Sequence, residues 1–228
     1  MKAVVVVSIL LAACGAKAFS APATPALIPG EIDATAAYKK SNFPISPDVL
    51  IARAKRVLSP DVGIGTKDDG ACLADDFEFV AAVVGPISKD EYLNALKGFK
   101  LQDSFDIQQN MFGFTVDPMQ TNRVWYFDRQ IAKHIRPFMG VEPSNKDLTL
   151  PPQLFHIDFN EDGLVKEFGF YTVDRRQGNT GGLGGAFGYF YGVGKPLPIR
   201  ECQPFKPSFR FRMLGILGKI GRKLSKNA

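Results

Sequence analysis

Two pairs of side chains carry the residue types that acid–base chemistry needs. His156 and Asp158 sit two apart in an alternating run, so they share one strand face while Phe155, Ile157 and Phe159 share the other. An imidazole beside a carboxylate can act as base and orienting group, or grip one polar ligand, when an apolar wall raises the carboxyl pKa toward neutrality. Tyr126 and Asp128 form a second same-face pair, in which the phenol can donate to a developing oxyanion. Each pair has a plainer reading: a solvated face for the first, an outward Asp and a packed Tyr for the second. Around them, Trp125, Phe127, Phe168, Phe170 and Tyr171 are candidate ligand-binding residues. Trp125, the one tryptophan, has a ring suited to stacking on a flat or polyene ligand, with core packing as the competing role. Tyr171 and Glu167 fall on the face opposite Phe168 and Phe170.

The elements that position these residues follow from period and punctuation. Ser46-Pro47-Asp48 supplies a cap, a proline at the first turn and an acid near the positive end of a helix dipole. Val49, Leu50, Ala54, Val57 and Leu58 then continue as one apolar helix face. The Gly- and Asp-rich segment 61–70 reads as a loop, and 77–84 as a strand. Ser88 with Glu91 is a capping box, opening a helix through Tyr92, Leu93, Leu96 and Phe99. Segment 105–116 predicts one long strand bent at Gly113, and 122–135 another; 137–152 predicts an irregular loop. Finally 154–176 reads as a hairpin turning at Asn160-Glu161-Asp162-Gly163, residues that tolerate the positive φ of a tight turn.

Composition limits the functions. The chain has 228 residues, 45% hydrophobic content and 19 Phe, enough for one substantial core plus tails. Its formal charge is +5, but seven basic side chains and no acid lie in 206–228, so the rest of the chain is slightly acidic. That excludes a basic nucleic-acid face on the body. With two His and three Cys (Cys14, Cys72, Cys202) there is no Cys/His cluster, so no metal is expected. Cys72 and Cys202 are expected as free thiols. The Gly-rich run 178–194 lacks a following Gly-Lys-Ser/Thr and is no phosphate loop. It reads as an extended arm or lid whose Phe187, Tyr189, Phe190 and Tyr191 cover a cavity mouth or pack on a surface.

The ends carry addresses. Met1-Lys2, an apolar stretch to Ala13 and small residues around Ala16 and Ala18 have the form of a signal peptide, 1–18. A cut after Ala18 exposes Phe19 in Ala18-Phe19-Ser20-Ala21-Pro22, which resembles the junction of plastid precursors in algae with secondary plastids. The expected route is the secretory pathway to a plastid, with 19–43 as transit or linker segment, although Glu31 and Asp33 are unusual for a transit peptide. The alternatives are a secreted protein, or a bacterial lipoprotein modified at Cys14 of Leu11-Ala12-Ala13-Cys14. At the other end Met213, Ile216, Leu217, Ile220 and Leu224 recur at helical spacing, with Lys219, Arg222, Lys223 and Lys226 on the remaining arc. This basic amphipathic segment, 213–226, can lie on an anionic membrane surface. Gly215, Gly218 and Gly221, at about 1 kcal/mol each relative to Ala, leave a disordered tail as an equal alternative, with docking on the protein's own body as a third.

Helices first and a strand meander after argue for an α+β fold, a curved antiparallel sheet wrapped over N-terminal helices. Two stretches carry a family likeness. Leu73-Ala74-Asp75-Asp76-Phe77-Glu78-Phe79 followed by Gly85-Pro86-Ile87-Ser88-Lys89-Asp90-Glu91-Tyr92-Leu93 resembles the strand, Gly-Pro and capped-helix signature of the SnoaL-like group in the nuclear-transport-factor-2-like superfamily. Phe159-Asn160-Glu161-Asp162-Gly163-Leu164-Val165 resembles that group's final hairpin. The resemblance spans about Pro47 to Arg176, and the domain is expected at 44–176, with 177–205 as the arm and 206–228 as the tail. It implies a cone-like domain, often a homodimer, with one apolar cavity and no cofactor. Such a domain is either a module that binds an apolar small molecule or a cofactor-free isomerase, cyclase or dehydratase.

Overall fold

A computed structural model describes residues 27–204 and 206–226. The signal peptide, the Phe19 junction and the Cys14 alternative therefore lie outside the described residues. The chain divides into Met1–Asp33 and Ala34–Ala228, and all that follows concerns the second unit.

That unit opens with α1 (Ala34–Lys40) and α2 (Pro47–Val57). Proline at the first turn and the face Leu50, Ala54 and Val57, all buried, make α2 the helix that its sequence predicts. α1 lies inside the segment expected as transit or linker. Its Tyr38 hydroxyl donates to the Val116 carbonyl at 2.6 Å, and Tyr38 and Phe43 lie against the main core, so the folded unit begins at Ala34 rather than at 44.

β1 (Leu73–Phe79) and the short β2 (Ile87–Ser88) lead into α3 (Lys89–Phe99), where the Ser88 backbone N–H donates to Glu91 Oε2 at 3.0 Å, as a capping box requires. β1 starts and stops several residues before the expected 77–84. Past Phe79 the chain keeps single bonds to its neighbour, from Val80 N to Phe168 O and from Ala82 N to Phe170 O.

After the one-turn α4 (Leu101–Ser104), the two expected long strands each appear as two: β3 (Phe105–Gln108) and β4 (Met111–Val116), then β5 (Arg123–Asp128) and β6 (Ile131–His134). They break at the same level because one knot ties both breaks. Asp128 Oδ1 accepts the Asn110 backbone N–H, Asn110 Nδ2 donates to the Arg129 carbonyl, and Arg129 N donates to Asn110 O. β3 and β6 thereby leave the main sheet and join β7 (Asp147–Thr149), a strand inside the segment expected as irregular.

β8 (Gln153–Phe159) and β9 (Val165–Thr172) form the expected hairpin, with Gly163 at φ +76° in its turn. The fold is α+β. Its curved sheet is ordered β2-β1-β9-β8-β5-β4, beside a second sheet β3-β6-β7. It is mixed rather than wholly antiparallel, since β1 runs parallel to β9.

The Gly-rich segment is not an extended arm. It folds as α5 (Gly185–Gly192), followed by a 3-10 turn at Arg200–Cys202. Tyr189 and Phe190 of α5 enter a second core with Phe105, Phe138, Leu148 and Leu150, and burying those rings outweighs the backbone cost of the glycines. α6 (Phe209–Lys226) is helical despite its glycines. No helix among the described residues is long and apolar enough to cross a membrane.

Candidate functional site

Strand alternation divides the side chains of β5, β8 and β9 between two faces with different contents. Cross-strand register puts Val124 opposite Ile157, Tyr126 opposite Phe155, Ile157 opposite Phe168 and Phe155 opposite Phe170. One end of this apolar face is filled: Val124, Ile157, Phe159 and Val165 pack with Leu50, Ala54 and Val57 of α2. At the other end α3 supplies Tyr92 and Leu96, the approach to α5 supplies Leu183, and α5 itself supplies Phe187. Together with the sheet these enclose a cavity of about 750 Å³.

Aromatic rings build its wall. Tyr126 stacks on Phe155 at 5.0 Å between centroids, Phe155 on Phe168 at 5.8 Å, and Phe79 on Tyr92 at 5.5 Å. Few polar groups interrupt it. Gln153 is fully buried; its Oε1 accepts the Gly185 backbone N–H at 2.7 Å, while its Nε2 has no partner. The Tyr189 hydroxyl donates to Gln130 Oε1 at 2.9 Å. The Tyr92 and Tyr126 hydroxyls make no hydrogen bond to a described residue, and burial pushes both phenols well above their ordinary pKa, so each stays a proton donor. The charged lining residues, Lys67, Lys97, Lys100, Asp103, Arg175 and Glu201, are exposed at the mouth. Among the described residues no imidazole and no buried carboxylate lines this space.

The candidate residues therefore separate. Tyr126, Phe168 and Phe170 line the cavity. Asp128 shares the face of Tyr126 but is not part of the cavity lining; it is 1% exposed and belongs to the knot that bends the strands. Burial raises its pKa against the pull of two backbone N–H groups. His156, Asp158, Trp125, Phe127 and Tyr171 lie on the opposite face and do not line this cavity: the parity of their positions puts them behind the wall.

Behind the wall the charges answer one another. Arg123 Nε donates to Asp158 Oδ1 at 2.5 Å and its Nη2 to Asp158 Oδ2 at 2.7 Å and Glu167 Oε1 at 2.8 Å. Gln120 Nε2 adds a bond to Asp158 at 2.7 Å. His156 is fully buried between Trp125, at 5.4 Å, and Tyr171, at 5.7 Å, with Nε2 at 2.8 Å from Glu167 Oε1. Burial first, then the Arg123 charge, lowers its pKa, so the ring is neutral; with Glu167 accepting from Nε2, Nδ1 is left without a partner. The donor atoms of His156, Asp158 and Glu167 lie within 4.8 Å of one another, a spacing suited to a metal ion, but the cation these carboxylates share is the Arg123 guanidinium. This is a closed ion-pair network.

Phe79, Tyr92, Gln130 and Gln153 line the cavity without having been singled out from sequence, whereas Phe187 and Tyr189, expected at a cavity mouth, do line it. A partial signal existed for choosing the face: the strands carry one face of rings on which Asp128 is the charged residue, and another whose Arg123, Asp158 and Glu167 are in register to neutralise each other. That the rings of the Gly-rich segment sit on a helix had no such signal, because it depends on long-range docking of α5.

No family model and no curated protein sequence matches the chain. Among solved structures it is similar to AclR from Streptomyces galilaeus, assigned as a hydroxylase, at 17% identity over 55% of this chain and 87% of that one, with a TM-score of 0.42. It is similar to a protein from Jannaschia sp. CCS1 assigned as a SnoaL-like polyketide cyclase, at 18% identity over 58% and 88%, TM-score 0.41. A third similarity is to an LEH-like epoxide hydrolase of M. tuberculosis, at 12% identity over 54% and 84%, TM-score 0.37. These neighbours are members of the nuclear-transport-factor-2-like superfamily.

Proposed function

We propose that the chain is a small-molecule-binding module whose ligand has a flat, apolar body and a hydrogen-bond acceptor at its inner end. One observation carries this reading: an aromatic-walled cavity of about 750 Å³ into whose lining a fully buried amide, Gln153, brings an unpartnered donor. The volume falls within the range of small-molecule sites, and a few fixed polar groups in an apolar wall are what orient such ligands. A buried donor without a partner is costly, and an acceptor on the ligand offsets that cost. Tyr92 and Tyr126 add two more donors of the same kind. The competing reading, a cofactor-free acid–base enzyme, needs a base in the cavity, and the imidazole and carboxylates that suggested it are tied up behind the wall or in the strand knot.

Native mass spectrometry of the full chain purified from its own host tests the reading. A retained small molecule that is lost in Ala95→Phe, which fills the cavity from α3, and weakened in Gln153→Leu supports it. Protein that carries no ligand overturns it, and a bound molecule that the protein converts turns it into the enzyme reading. We also propose the plastid as the compartment; sequencing the mature N-terminus tests this, and a start at Cys14 overturns it.

A further inference from the structure

Every described side chain of α6 is exposed, including the large apolar ones: Phe209 at 76%, Ile216 at 52% and Leu217 at 60%. At 3.6 residues per turn, Phe209, Met213, Ile216 and Leu217 fall in one stripe. Arg212, Lys219 and Arg222 fall on a neighbouring arc, and Arg210 flanks the stripe on its other side; Phe211 falls toward the basic arc. No acidic residue occurs in 206–228. An exposed apolar stripe bordered by one sign of charge needs a cover that is apolar below and anionic at its rim.

We propose that α6 is a peripheral anchor that lies along an anionic lipid bilayer, its stripe in the acyl boundary and its arginines and lysines at the level of the phosphates. Charge complementarity selects this occupant. A second copy of the chain would bring its own Arg210, Arg212, Lys219 and Arg222 to the borders of the same stripe, and like charges oppose that pairing. The helix is too polar to span a membrane, which leaves the interface plane as the depth its charges allow. Gly215 and Gly218 weaken the helix when it is free in water, so a covered stripe is what holds it helical. The anchor is independent of the cavity and stands whether or not the cavity holds a ligand.

The test is vesicle flotation of the full-length chain with phosphatidylcholine vesicles, and with the same vesicles enriched in phosphatidylglycerol. Binding is expected with the anionic vesicles and to fall steeply with added salt. At roughly fivefold per basic residue, Arg212→Gln/Lys219→Gln/Arg222→Gln should lose on the order of a hundredfold in partitioning. Ile216→Ser/Leu217→Ser should abolish flotation, and both variants should unfold at the wild-type temperature because the changed side chains touch solvent. Equal binding to neutral vesicles, undiminished binding by the charge variant, or no flotation overturns the proposal. So does a concentration-dependent dimer in sedimentation velocity that Ile216→Ser/Leu217→Ser abolishes, which makes α6 a self-association surface.

Discussion

Replacing Arg123 with Met separates a structural network from a catalytic one. The guanidinium is the cation shared by Asp158, whose side chain is 8% exposed, and Glu167, whose side chain is 29% exposed. Methionine keeps an apolar stem against Trp125 and removes the charge. Asp158 is then left with Gln120 as its hydrogen-bond donor, and Glu167 with His156. Breaking a buried pair from one side costs about 3–5 kcal/mol; the partial exposure of Glu167 places this site at the lower end, about 3 kcal/mol. A second consequence concerns His156. In the native protein its pKa lies below the ordinary 6.5, through burial and the Arg123 charge. The unfolded chain then binds more protons than the folded one between the two values, and stability is lost as pH falls below 6.5. Without Arg123 the same ring faces two carboxylates and no cation, so its folded pKa is expected to rise from its lowered value, while burial still holds it down. The pH slope should flatten: less stability is lost as pH falls below 6.5. Urea unfolding on either side of pH 6.5, with His156→Gln in both backgrounds to isolate its share, reads both effects. A loss under about 1 kcal/mol, the level of an exposed pair, together with an unchanged pH slope would refute the network as described.

Three further substitutions or probes follow from the same geometry. Gly169→Ala should cost about 2–3 kcal/mol in thermal or urea unfolding, because a Cβ there runs into the Val80 carbonyl and the His156 ring where the β1 edge crosses β9. Asp128→Ala should cost about 1–3 kcal/mol by orphaning the Asn110 N–H, whereas Asp128→Asn keeps an accepting oxygen and should cost less. The wild-type carboxyl titrates above its ordinary 3.8, so its contribution to stability falls as pH rises through that folded value; the Asn variant should lack this part of the pH profile. Cys72, its thiol pushed up to about 12 by burial and then by the Asp68 charge, should alkylate with iodoacetamide far more slowly in the native protein than in denaturant; equal rates would contradict that environment.

Local chemistry made several elements readable from sequence. The proline-capped α2, the Ser88–Glu91 box and the Gly163 turn each depend on residues close together in the chain, and each formed where expected. What could not be read depends on distant partners. The strand breaks at Asn110 and Arg129 come from a knot between two segments, each of which alone looks like one continuous strand. α5 forms because the second sheet offers its rings a surface, and that sheet exists only because the knot exists. Likewise the alternation in β8 shows that His156 and Phe155 face opposite ways, but a period of two is silent on which face α3 covers.

That ambiguity decides what the closing hairpin does. With His156 and Asp158 inside, it would bring a base and its orienting group to a substrate. With Phe155, Phe168 and Phe170 inside, it is a wall, and the polar residues act as its stiffening. The second arrangement explains why Arg123, Asp158 and Glu167 occur in register across three strands: each neutralises another, and Glu167 also holds His156 Nε2. It also explains why the unsatisfied donors occur on the other side. Gln153, Tyr92 and Tyr126 keep open hydrogen-bonding capacity in an apolar space, which is costly to an empty protein and useful to one that holds a ligand.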